Sequence, residues 1–182
     1  MRRRDGWKPM KGPYPVPAAS LAYGRFVVVA ENIRSLHNVG ALFRTCDGAG
    51  VTWLFLGGYS GFPPRPEIAK VALGAETWIP WRHVWHLGPL LDDLARMGYQ
   101  LVGLEACPEA VAIHRFQPQG PLALVVGNEV EGLSPAVRRR VQATVRLPMR
   151  GRKESLNVAV AFGIAAYSLA EKLEKGAPEC RR

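Results

Sequence analysis

Apolar and polar positions along this chain follow two rhythms. Continuous apolar and β-branched runs predict strands over residues 26–30, 52–56, 99–104, 122–126 and 143–147, with a weaker one over 77–79. Between them, helical spacing predicts helices over 37–48, 67–73, 89–97, 135–141 and 156–173. Strands alternating with helices build a parallel sheet covered on both faces, so the expected fold class is α/β. The runs FVVVA and LALVV, apolar at every position, fit strands buried on both sides. A chain of 182 residues suits one folded domain with a substantial core.

The last predicted helix differs from the others. Over 156–173 it is apolar almost all round and rich in small residues, among them Ala159, Ala161, Gly163, Ala165, Ala166 and Ala170. A helix without a polar face is expected to be buried on several sides, and small residues let backbones approach closely. It either runs through the centre of the fold or lies in a subunit interface.

Charge divides the chain further. The net charge is +9, concentrated at the ends: residues 1–25 carry six basic side chains against Asp5, and residues 135–182 carry eleven against four glutamates. Such a balance suits a polyanion, whose condensed counterions are released on binding, but it equally describes a solvated cationic surface. Residues 1–20 hold Pro9, Pro13, Pro15 and Pro17 among basic residues and read as an extended arm, by default a simple tail. The expected organisation is a basic arm over 1–20, a folded domain over 21–175 and a basic tail over 176–182. Cys46, Cys107 and Cys180 are odd in number and widely separated, which fits free thiols in a reducing cytoplasm. The amino-terminal segment lacks the apolar stretch of a signal peptide. The apolar residues after Ser155 are interrupted by Asn157, Gly163, Tyr167 and Ser168, short of the ~18 apolar residues a membrane span needs. The expectation is a cytoplasmic protein with no membrane partner.

Chemistry concentrates where predicted strands hand over to helices. In ENIRSLHNVGALFRTCDG, Val39, Leu42, Phe43 and Cys46 form a helical stripe that turns Arg44 away from the core. Alone, Arg44 would be a solvent-facing arginine and Asn38 a helix cap. The strand LALVV opens into Gly127, Asn128, Glu129 and Gly132, residues that also suit an ordinary turn. After Leu147, Pro148 and Met149, a Gly- and charge-rich loop leads to Ser155, Leu156 and Asn157; Ser155 alone would cap the helix. Ligands of open α/β sheets bind outside the carboxyl ends of the strands, so these three junctions can converge on one pocket.

Taken in order, the three junctions resemble the motifs of the SpoU/TrmH family of RNA ribose 2′-O-methyltransferases, in the SPOUT superfamily. The resemblance covers about 25–175, with Glu31, Asn32 and Arg34 similar to the lead-in of the first motif. It implies a Rossmann-like sheet with a C-terminal trefoil knot, S-adenosylmethionine as cofactor, a homodimer and an RNA partner, tRNA or rRNA. It also implies that Gly127, Leu147, Met149, Ser155 and Leu156 bind the cofactor. Asn38, Arg44, Glu129, Ser155 and Asn157 would form the catalytic group, with Arg44 closest to the reaction. A guanidinium titrates above ~12, so stabilising the 2′-oxyanion and holding a phosphate suit Arg44 better than acting as a base. The stretch KVALGAETWIPW (70–81) resembles a segment of many relatives and is expected to border the cofactor.

Two other readings compete. A catalytically inactive RNA-binding protein of the same fold should have lost Arg44, Glu129 or Asn157, and all are present. A dinucleotide-binding oxidoreductase should carry a glycine fingerprint after 26–30, where the chain reads ENIRSLHN. His83 and His86 have no third ligand nearby in sequence, so no metal is expected. Trp78, Trp81 and Trp85 can stack on bases, although packing is their commoner use.

Overall fold

The computed structural model describes residues 25–175. The arm over 1–20 and the tail over 176–182 lie outside these residues. At the centre, the two continuous apolar runs lie side by side as β1 (Phe26–Glu31) and β6 (Leu122–Val126), paired in parallel with Val28 opposite Leu124. Around them stand β2 (Trp53–Gly57), β3 (Trp81–Val84), β4 (Gln100–Leu104), β5 (Val111–Ala112) and β7 (Ala143–Arg146). The seven-stranded sheet has the order β3-β2-β1-β6-β4-β7-β5, and all its pairings are parallel.

The period of two along each strand sorts the core into two layers. Phe26, Val28 and Ala30 pack with α1 (Leu36–Gly48), α2 (Pro66–Ala72) and α5 (Val158–Lys175). Val27 and Val29 face the other way, against α3 (Leu87–Arg96) and α4 (Pro135–Arg138). Successive connections run outward from β1 to β3, then cross to the far side of β6. The gap between the carboxyl ends of β1 and β6 is therefore a topological switch point, where such sheets bind ligands.

Several expectations need correction. Residues 77–79 form no strand: Ala75–Thr77 is a 3₁₀ turn, and the strand follows Pro80 as β3. It escaped the apolar pattern because it is an edge strand carrying Arg82 and His83. The two-residue β5 was not anticipated either. The first helix is capped by Ser35, whose Oγ accepts from Asn38 N at 3.3 Å, which leaves the Asn38 side chain free for another use. The last helix begins at Val158, two residues later than expected, and its cap is Asn157 rather than Ser155. Asn157 Oδ1 accepts from Ala159 N at 2.9 Å and Val160 N at 3.3 Å.

Nor is α5 buried all round. Val158, Phe162, Ala165, Ala166, Leu169 and Leu173 are buried, whereas Val160, Ile164 and Tyr167 are at least half exposed on the opposite face. Among the described residues no helix is long and apolar enough to cross a membrane.

Candidate active site

At the carboxyl ends of β4, β6 and β7 the chain folds back around a half-open cavity of about 280 Å³. Its apolar wall includes Leu104, Val126, Leu147, Met149, Leu156 and Val158, and its rim carries Glu105, Glu131 and Glu154. Gly127 and Ser155 also line it, so all five residues expected to bind a cofactor are brought to one place. Gly127 is required by close approach: a Cβ there would sit 2.6 Å from Leu133 N and overlap the Gly132 carbonyl. Asn128 closes the same turn by exchanging backbone hydrogen bonds with Gly132, both 3.0 Å.

Beside the cavity, a short relay joins the three junctions. Asn38 Nδ2 donates to Glu129 Oε1 at 2.8 Å, and Asn157 Nδ2 donates to Asn38 Oδ1 at 3.2 Å. Glu129 Oε2 accepts from Arg34 N at 3.3 Å. Both Glu129 oxygens are thus engaged, which suits a carboxylate that orients neighbours better than one free to take a proton. Asn38 thus bridges Glu129 to the Asn157 amide, whose Oδ1 is held by the first backbone N–H groups of α5. Residues 91 and 119 positions apart in the sequence meet in this relay.

Comparison with known proteins bears on what such a relay belongs to. Residues 25–167 match the SpoU rRNA Methylase family. The chain belongs to this family. It is 31% identical over 150 residues to a tRNA (guanosine(18)-2′-O)-methyltransferase of Aquifex aeolicus, covering 82% of this chain and 70% of that protein. It is likewise 31% identical to the 23S rRNA (guanosine-2′-O-)-methyltransferase RlmB of Coxiella burnetii, covering 84% of this chain but only 60% of the relative. Among solved structures, the SpoU methyltransferase AviRb from Streptomyces viridochromogenes, in complex with the cofactor AdoMet, is similar with a TM-score of 0.78 at 26% identity. That match covers 87% of this chain and 64% of AviRb.

Arg44, the remaining residue singled out from the family's first motif, stands apart from the relay. It is exposed on α1, and among the described residues it has no hydrogen-bond or ion-pair partner. Six residues beyond Asn38, it lies about 9 Å further along the helix axis. Cys46, on the buried side of the same helix, is fully enclosed; burial, helped by the charge of Asp47, pushes its thiol well above the ordinary range. The stretch 70–81, expected to border a cofactor, does not line this cavity.

Glu105 escaped the sequence motifs, whereas Glu31 and Asn128 lie in them but their contacts were not legible there. Glu105 follows β4 and lines the cavity; its Oε1 accepts from Leu133 N at 3.3 Å and Arg138 Nη2 at 2.5 Å, so it braces the loop around Gly132. Glu31, buried at the end of β1, accepts from Ser134 N at 2.9 Å. Asn128 donates to Asn32 O at 2.9 Å and Tyr59 Oη at 2.7 Å while its Oδ1 accepts from Val130 N and Glu131 N. The signal available was position: each lies at the carboxyl end of a central strand or just beyond it.

The tryptophans divide. Trp81 is buried against Phe43, Trp78 Nε1 donates to Asp47 Oδ1 at 2.8 Å, and Trp85 projects into solvent. His83 Nε2 lies 2.8 Å from Gly58 O, and among the described residues no group of three potential ligands is placed to hold a metal ion.

Proposed function

We propose that this chain is an S-adenosylmethionine-dependent methyltransferase acting on a ribose 2′-OH of tRNA or rRNA. The observation that carries the reading is the relay Glu129–Asn38–Asn157, which ties the three family motifs together beside the cavity. The cavity suits the cofactor chemically: apolar side chains offer a bed for an adenine ring, and carboxylates at the rim favour a ligand carrying ammonium and sulfonium charge. Gly127, Leu147, Met149, Ser155 and Leu156 would hold it. When bound, S-adenosylmethionine supplies an electrophilic methyl group on sulfur. The family relationship to 2′-O-methyltransferases named for tRNA and for rRNA supports both substrate classes.

The residues divide the remaining work. A neutral hydroxyl is a weak nucleophile and must lose its proton as it attacks, here to the adjacent RNA phosphate, while the methyl–sulfur bond breaks and leaves the neutral thioether. Arg44, exposed and unpaired among the described residues, is free to approach RNA, to stabilise the developing 2′-oxyanion and to hold the adjacent phosphate in its planar fork. Asn157, oriented by Asn38 and Glu129, positions the ribose, and Ser155 contributes at the cavity mouth. The trefoil knot implied by the resemblance would involve the segments that wall the cavity, 126–133 and 147–158.

The outer face of α5 supports a homodimer. Val160, Ile164 and Tyr167 leave an apolar stripe in water, at helical spacing, and a second copy is the natural cover. An RNA substrate and the free thiols Cys46 and Cys107 support a cytoplasmic setting. The experiment is direct: incubate the protein with methyl-labelled S-adenosylmethionine and bulk tRNA or rRNA, then digest and separate nucleosides. Label in a 2′-O-methylnucleoside is expected; label confined to base-methylated products would overturn the reading.

A further inference from the structure

We propose that the loop after β2 and the end of β3 form a stacking platform for unpaired bases of the RNA, next to the site of methyl transfer. The proposal rests on the RNA methyltransferase reading. Tyr59, Phe62 and Trp85 are 54%, 37% and 68% exposed, although large rings are ordinarily covered. They do not stand in isolation. The Phe62 and His83 rings are 4.5 Å apart and tilted, and His83 meets Trp85 edge-on at 4.5 Å. The Tyr59 hydroxyl accepts from Asn128 Nδ2 at 2.7 Å, and Asn128 adjoins Glu129 of the relay. The rings therefore extend from the candidate site to the edge of the sheet.

This surface is built rather than slack. Gly58 N donates to Val84 O at 2.9 Å and Tyr59 N to Asn32 Oδ1 at 3.2 Å. Ser60, 2% exposed, donates its hydroxyl to Gly57 O at 2.8 Å and accepts from Ile33 N at 2.8 Å. A surface fixed beforehand loses little conformational freedom when a ligand settles on it. Charge selects the occupant. The segment 57–66, GGYSGFPPRP, contains the exposed Arg65 and no carboxylate, and exposed Arg34 stands beside the relay. Guanidinium groups among exposed rings match a single-stranded nucleic acid, whose phosphates meet the cations and whose bases stack.

The test uses oligouridylate carrying one 2-aminopurine, whose fluorescence falls on stacking, with S-adenosylhomocysteine binding measured in parallel by calorimetry. Wild-type protein is expected to quench the probe. Trp85→Ala and Phe62→Leu should each weaken RNA binding about 5- to 150-fold, the equivalent of one lost stacked base, and leave S-adenosylhomocysteine binding unchanged. Trp85→Phe, which keeps a ring, should restore most of the affinity. Absent quenching by wild-type protein, or unchanged RNA affinity in both variants, would overturn the platform. So would a Trp85→Ala variant that loses self-association while keeping RNA affinity, since the rings would then cover a subunit contact. Ring-dependent RNA binding without any S-adenosylhomocysteine binding would support the platform and sink the methyltransferase reading instead.

Discussion

At the carboxyl ends of β4, β6 and β7 the chain folds back over itself, whereas at the ends of β2 and β3 it leaves rings in water. The first region surrounds about 280 Å³ and joins its polar side chains to one another through Glu129, Asn38 and Asn157. The second exposes Tyr59 and Phe62 on a pinned loop and Trp85 at the end of β3. One edge of one sheet thus offers a half-open cleft scaled to a small cofactor and an open surface scaled to a polymer. Both are held by hydrogen bonds between loops, and the two meet where Asn128 donates to Tyr59.

Arg44 gives the largest expected effect, because it is exposed on α1 and has no structural partner among the described residues. Arg44→Ala should lower turnover on the order of 10²- to 10³-fold. Its stability should change by no more than ~0.5 kcal/mol, since the side chain is exposed. Arg44→Lys should rescue little, because lysine lacks the planar fork that reaches two oxygens together. Methylation kinetics and a thermal melt on the same preparations check all three statements; near-wild-type turnover in Arg44→Ala would remove the residue from the catalytic group.

Glu129→Ala should come next. It leaves Asn38 Nδ2 without its charged acceptor and frees the Asn38 side chain to turn away from Asn157, for an expected loss in kcat/KM of about 10- to 100-fold. Steady-state methylation assays at varied RNA concentration read it. Ile164→Glu places a charge in the outer apolar stripe of α5 and should weaken self-association at least about tenfold, read by sedimentation. A dimer indifferent to this change would show that the stripe is not the contact. The smallest effect belongs to the core that both regions share. Buried Cys46 should resist alkylation in the native protein, because its thiol titrates far above neutral pH and only the thiolate reacts. Mass spectrometry after brief maleimide treatment checks it, with the half-buried Cys107 expected to react before Cys46.

How much of this was legible in the sequence differs between the two regions as well. β1 and β6 announced themselves because a parallel strand buried on both faces must be apolar at every position. The cofactor-side residues, Gly127 to Glu129 and Leu147 to Asn157, lie in continuous motifs, so the resemblance reached them. β3 was misplaced by a few residues, because an edge strand tolerates the Arg82 and His83 that break an apolar run. Which of Ser155 and Asn157 caps α5 depends on where the backbone turns, and both have the right chemistry for it. Glu105 and Tyr59 act through residues 28 and 69 positions away, contacts that no local pattern encodes.

The central claim is that the cavity closed around Gly127 holds S-adenosylmethionine. Isothermal calorimetry with S-adenosylhomocysteine tests it most directly, comparing wild type with Gly127→Ala and with Gly120→Ala. An added Cβ at Gly127 must displace the backbone at Gly132 and Leu133, while one at Gly120 meets nothing within 4 Å. Wild type should show one site per chain, Gly120→Ala unchanged affinity, and Gly127→Ala a loss of about 5- to 150-fold. A wild-type protein that binds no S-adenosylhomocysteine, or a folded Gly127→Ala variant that binds it as tightly as wild type, would contradict it.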